Sequence, residues 1–362
     1  MNVYEELTDG LRRPLRVAEL VYEAPGLPSR AEIDEERTHL QKDKVGLEIA
    51  QGDFVADVLA DERCGNHLLD AMMLPRPEAL AALGELRRTG GADLGPMRVD
   101  RDGPVGHVTI QNLACLNAED DESTRAMEIA IDLVLLDDEI EVGVLRGGPV
   151  AHPKYAGRRI FGAGINLTAL YHGEISLVEF MLERELGAVS KMYRGDKPWI
   201  AAVESFAIGG ACQWLLVMDR VIAESGSYFN LPARTEGIIP GCANLRLPRF
   251  VGERLARQAI FFGRAFQADT PEGRLIGDDV VAGEQIGAAI ERAAAELTSA
   301  GRTSLVANRR ALREAQEPRD LFRRYMSVYA REQARSRYSR GIIDNLERNS
   351  LKRELAGQPV KE

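Results

Sequence analysis

The chain has 362 residues, enough for a full core with length to spare, so one large domain plus an extension is expected rather than two equal domains. Hydrophobic residues make up 45% and charged residues 28%, the balance of an ordinary soluble globular protein, and no apolar run is long enough to cross a bilayer. The formal net charge of −10 argues against a general nucleic-acid binder, which needs a concentrated basic surface, and leaves room only for local basic patches.

The opening residues MNVYEELTDG are acidic and lack the apolar stretch of a signal peptide. Cys64, Cys115, Cys212 and Cys242 show no metal-ligand spacing, and the five histidines are equally scattered. A cytoplasmic setting without membrane attachment and without a metal site is the expectation.

Residues 1–96 are rich in Glu, Leu, Arg and Ala, punctuated by Pro14, Pro25, Pro28, Pro75 and Pro77, and read as a bundle of helices for packing or oligomerisation. From Val105 the pattern changes to the alternation of a strand, VGHVTIQN. A helix is expected from Asp121 to Leu136, and the run IEVGVLRGG is a second strand ending in glycines. The following segment, GGPVAHPKYAGRRI, is longer and more basic than a tight turn needs. Lys154, Arg158 and Arg159 there either face phosphates or belong to a solvated loop.

A helix from about Leu177 to Tyr193 leads to the apolar strand Trp199 to Val203, and Gly209-Gly210 then opens an apolar helix. Adjacent glycines let a backbone approach a ligand closely, and the turn presents N–H donors able to stabilise an oxyanion; close packing alone would also account for them. Because right-handed crossovers place loops at the carboxyl ends of strands, the turns at Asn117, Gly164 and Gly210 are expected to converge. Residues 286–362 form a helical tail rich in Ala, Arg and Glu.

Several ordered segments resemble the signature of the crotonase (enoyl-CoA hydratase/isomerase) superfamily. KPWIAAV resembles its strand before the active-site turn, AIGGACQ its glycine turn, and MDRVIAE its next strand. FNLP, GIIPG and LPRFVG follow, while LACLNAE and FGAGINL resemble the two upstream loops. The resemblance covers about Val105 to Val281. It implies an α/β fold with a crotonase-like ββα spiral core over 97–285, a helical N-terminal extension (1–96) and C-terminal oligomerisation helices (286–362), assembled as a trimer or a dimer of trimers. It also implies an acyl-CoA substrate whose thioester oxygen is bound by the amides of Ile165 and Gly210, with Gly164 and Gly209 shaping the two turns.

The chain departs from that pattern where hydratases carry two glutamates: Gln213 and Ala233 stand there, and neither has useful basicity. Glu236, three residues beyond Ala233, is either a relocated base or a solvated loop carboxylate. Glu119, Arg184 and Gln213 together resemble the polar set of a dioxygenase branch of the superfamily that serves antibiotic biosynthesis. That resemblance implies recognition of aromatic hydroxyls, dioxygen as co-substrate, coenzyme A as part of the substrate, and no metal or organic cofactor. Taken singly, Arg184 in E-R-E reads equally as a surface ion pair, Glu119 as a helix cap and Gln213 as a core amide. Another acyl-CoA enzyme and a catalytically silent scaffold also stay open.

Overall fold

The computed structural model describes residues 2–299 and 301–355. Among the described residues, ten strands form two sheets. The larger has seven strands in the order β1 (Gly91–Asp93), β2 (Met97–Asp102), β3 (Val105–Ile110), β4 (Val142–Gly147), β5 (Trp199–Val203), β7 (Arg220–Glu224) and β10 (Asp279–Val281). The smaller joins β6 (Phe206–Ile208), β8 (Tyr228–Asn230) and β9 (Phe266–Gln267). From β3 to β10 the large sheet is parallel, while β1, β2 and β3 pair antiparallel.

The central strand β5, WIAAV, is buried at every position, which is why its sequence is a continuous apolar run rather than an alternation. Its Trp199 ring lies flat on β4, where a side chain at Gly143 would overlap it. The expected helix is found at Asp121–Leu136, and its N-cap is Asp120, whose carboxylate accepts from the Ser123 amide at 2.9 Å. Glu119 is thereby left free of the capping role.

The boundary expected at 96/97 falls between two paired strands, because β1 is already part of the sheet. The segment GADLGP around it reads locally as a loop, and only its pairing with β2 makes it a strand. The helix Pro77–Thr89 likewise packs its Ala79 and Leu86 into the sheet core. The helices before it share a second core with the chain's other end: Tyr4, Leu20, Val55 and Leu59 pack with Phe322, Met326 and Ala330. Helix Glu48–Ala60 crosses helix Arg319–Ser336 so closely that a side chain at Gly52 would overlap Ala334. Much of the C-terminal region is therefore committed to its own chain, and helix Ile286–Thr298 covers the outer face of β4, β5 and β7.

Candidate active site

Two turns meet backbone to backbone at the carboxyl ends of the parallel strands. After β6, Gly209 adopts φ 53°, ψ −119°, a conformation open only to glycine, and helix Gly210–Leu215 begins. In the other turn Gly164 has φ 81°. A Cβ on Gly164 would lie 2.9 Å from the Ile208 carbonyl oxygen and 3.3 Å from Gly209 Cα, so glycine is what permits the approach. The Asn117 turn joins them: a Cβ on Gly162 would sit 2.7 Å from that of Ala211 and 3.2 Å from the Asn117 carbonyl oxygen. The three turns expected to converge thus do so.

The hydrogen bonds of these turns single out two amides. Glu119 N–H donates to the Gly164 carbonyl and Asn166 N–H to the Glu119 carbonyl, each at 2.7 Å, which leaves the intervening Ile165 amide turned the other way. The Gly209 amide donates to the Asn230 carbonyl at 2.8 Å, and the next amide, Gly210, starts the helix. Among the described residues, neither the Ile165 nor the Gly210 amide has an acceptor. Two unspent donors on touching turns are free to bind one negatively charged oxygen.

Beside them opens a tight cavity of about 30 Å³. Ile165, Gly209, Gly210, Glu119, Arg184, Gln213, Ala233 and Glu236 all line it. Gly164 lies beneath, shaping the turn. Arg158 and Arg159 do not line it: Arg158 is exposed, and Arg159 Nη1 donates to the Gly147 carbonyl at 3.0 Å. Phe180, Met181, Leu231 and Ile238 supply apolar walls.

Arg184 organises the polar side. It sits where the segment 177–194 winds as two π-helical turns, Leu177–Leu182 and Arg184–Val189, before the α-turn Ser190–Arg194, and such widened turns recur at functional sites. Its Nη1 donates to Glu185 Oε1 at 2.6 Å and to Gln213 Oε1 at 3.1 Å. Its Nη2 donates to Glu119 Oε1 at 3.1 Å and to the Gly210 carbonyl at 2.7 Å. The guanidinium lies 4.6 Å over the Trp214 ring, and Trp214 Nε1 donates to Glu119 Oε1 at 2.5 Å. Burial alone discourages the Arg184 charge, but Glu119 and Glu185 outweigh it and raise the pKa further.

Some bonding capacity remains unspent. Glu119 Oε2 and Arg184 Nε are buried without a partner, and Gln213 Nε2 makes no hydrogen bond among the described residues. A Cβ on Gly210 would overlap Glu119 Oε2, which puts that oxygen next to the Gly210 turn. Glu236 faces the same turn from the opposite wall, and burial pushes its pKa up to about 7. Such a set can hold a negative charge on one oxygen, pair with polar groups on a ring, and accept a proton.

Sequence reasoning missed Glu185, Trp214 and Tyr329. Glu185 also accepts from the Cys242 amide at 3.2 Å, tying Arg184 to the loop above the cavity. Tyr329 comes from helix Arg319–Ser336, which fastens that loop as well: Tyr325 Oη donates to the Gly241 carbonyl, and Gln333 Oε1 accepts from the Ile239 amide at 2.9 Å. Among the described residues, no group of three or more His, Cys, Asp or Glu side chains is placed to hold a metal ion.

The family model described as enoyl-CoA hydratase/isomerase matches residues 100–350. The chain is 49% identical over 359 residues to an Amycolatopsis orientalis protein named (3,5-dihydroxyphenyl)acetyl-CoA 1,2-dioxygenase, covering 94% of this chain and 82% of that one. The fold is similar to that of Pseudomonas aeruginosa OdaA, with a TM-score of 0.62, 20% identity, and coverage of 70% of this chain and 98% of the other. An enoyl-CoA hydratase from Bacillus halodurans gives a TM-score of 0.61 at 18% identity, covering 70% of this chain and 100% of its own. With its family match running through both glycine turns, this chain belongs to the enoyl-CoA hydratase/isomerase family.

Proposed function

We propose that the protein is a metal- and cofactor-independent dioxygenase that converts (3,5-dihydroxyphenyl)acetyl-CoA and dioxygen to (3,5-dihydroxyphenyl)glyoxylate and free coenzyme A. The Amycolatopsis relative carries that substrate class in its name. The observation that carries the reading here is the unpaired Glu119 Oε2 beside the two unspent amides. A hydroxylated ring held next to a bound thioester would satisfy it.

The chemistry follows from charge placement. Donors aimed at the thioester oxygen favour the enolate over the neutral thioester, which lowers the barrier to removing an α-proton. Dioxygen, a triplet, reacts slowly with closed-shell molecules unless an electron donor is present. A ring deprotonated beside the enolate gives a delocalised dianion that serves as that donor. Oxygen adds at the α-carbon, and the resulting peroxide attacks the thioester carbonyl and expels the thiolate. The O–O bond then breaks as the second α-hydrogen leaves, giving the keto acid with both oxygen atoms retained. Glu119, Arg184 and Gln213 bind the ring hydroxyls, and the apolar walls keep water from reprotonating the carbon.

The same reading includes a cytoplasmic homo-oligomer, trimer or dimer of trimers, in antibiotic biosynthesis, with Arg158 and Arg159 toward the coenzyme A phosphates. Among the described residues no helix is long and apolar enough to cross a membrane. The test is an oxygen electrode with chelator-treated, metal-free protein and the arylacetyl thioester. One dioxygen consumed per coenzyme A released, with both atoms of labelled dioxygen in the keto acid, is the expected result. Product formed equally under argon would replace the dioxygenase with another acyl-CoA enzyme, and no reaction in either atmosphere would leave a scaffold.

A further inference from the structure

Removal of the α-proton needs a base, and one cavity carboxylate is untouched by the hydrogen bonds described above. Glu236 ends the short helix Ala233–Glu236. The chain then turns through Gly237 at φ 74°, where a Cβ would lie 2.8 Å from that of Ile342, so the C-terminal helix Arg340–Leu355 presses on the end of this turn. Glu236 Oε2 is thereby carried to 3.8 Å from where a Cβ on Gly209 would stand, at the edge of the oxyanion hole. The other two cavity carboxylates, Glu119 and Glu185, share the Arg184 cation, so each is held in an ion pair. Glu236 has no such cation; burial is the one influence on its titration, and it favours the proton.

We propose, resting on the function inferred above, that Glu236 is the catalytic base that takes the α-proton of the bound thioester. An oxygen held by the Ile165 and Gly210 amides places the α-carbon two bonds away, over the same turn that Glu236 overhangs. The C–H bond breaks toward the carboxylate, and its electron pair passes into the enolate, whose charge rests on the oxygen at the two amides. The proton is later handed to the departing thiolate, which leaves as coenzyme A.

The test separates proton removal from oxygen chemistry. The full-length protein is incubated under argon in buffered D₂O with (3,5-dihydroxyphenyl)acetyl-CoA, and α-deuterium is followed by mass spectrometry. The native enzyme is expected to exchange. Glu236→Gln should slow exchange at least about a hundredfold, the scale of a lost general base, while equilibrium affinity for the thioester is retained. Glu236→Asp, which keeps the carboxylate but shortens its reach, should fall between the two. Exchange at the native rate in Glu236→Gln overturns the assignment, as does exchange lost in Glu119→Gln but kept in Glu236→Gln. Exchange that depends on Glu236 in a protein that consumes no dioxygen in air leaves the base standing and removes the dioxygenase. Oxygen consumption that survives Glu236→Gln does the reverse.

Discussion

Two buried arginine–carboxylate pairs lie close together and are built to different ends. Arg246 meets Glu317 with two parallel bonds of 2.9 Å, and Arg249 adds a third at 3.1 Å. Neither Arg246 nor Glu317 has a buried side-chain atom without a partner. Burial works against the Glu317 charge, yet Arg246 and Arg249 outweigh it and hold its carboxyl below the usual range. Arg184 meets Glu119 with one bond of 3.1 Å, and Glu119 Oε2 and Arg184 Nε stay unpaired. Glu185 stands between the pairs, 2.6 Å from Arg184 and 3.9 Å from Arg246. A closed pair is architecture; an open pair at similar depth is held open against a cost of about 1–3 kcal/mol per orphaned group, which a ligand can recover.

The largest effect should come from opening the closed pair. Glu317→Ala leaves Arg246 buried without its main counter-charge, and urea unfolding should show a loss of about 3–5 kcal/mol. A loss below about 1 kcal/mol would mean that Glu317 is not the keystone of that cluster. Next is the Gly210 amide beside the open pair, proposed above to bind the thioester oxygen. Gly210→Pro removes the donor, and turnover should fall at least about a hundredfold in a variant that still folds. Near-normal turnover in that variant would take the Gly210 amide out of the site.

Substrate trimming probes the open pair itself. Phenylacetyl-CoA leaves Glu119 Oε2 unpaired, and kcat/KM should drop by the equivalent of about 1–3 kcal/mol. Arg184→Lys should narrow that gap, because one ammonium cannot reproduce a planar fork. Equal rates for the two thioesters would show that this pair does not read the ring. The smallest effect concerns stability and pH. Glu236 is raised from 4.5 to about 7 on folding, so between these values the unfolded chain has released a proton that the folded one keeps. Folding stability from this group is therefore full below about 4.5, declines as pH rises toward 7, and is flat above it. Thermal melts of Glu236→Gln should gain on the native protein across that window and then run parallel. A difference that does not change with pH would contradict the raised carboxyl.

Much of the scaffold was legible because local and global signals agree. The apolar run of β5, the helix from Asp121 to Leu136, and the glycines at 164 and 209 each carry their conformation in their own residues. The joining of Glu119, Arg184 and Gln213 was legible only through family resemblance, since E-R-E reads locally as a surface pattern. All three of its charged residues, Glu183, Arg184 and Glu185, are buried instead. The π-helical widening at Arg184 has no sequence period of its own to betray it. Tyr329 could not be placed from its neighbours, because its helix reaches the cavity by packing against residues near the other end of the chain. β1 was hidden for the same reason, as a strand that exists by its pairing.

The close crossing at Gly52 sets an order on manufacture. The ion pair between Asp53 and Arg335 beside it spans 282 positions of sequence, so helix Glu48–Ala60 is synthesised long before its partner. The sheet strands, from Gly91 to Val281, emerge well before Tyr329. A growing chain can therefore assemble the two glycine turns while the roof over them is still unsynthesised. The cavity beside those turns is walled only once helix Arg319–Ser336 has been made, so a nascent chain cannot enclose a ligand there before then.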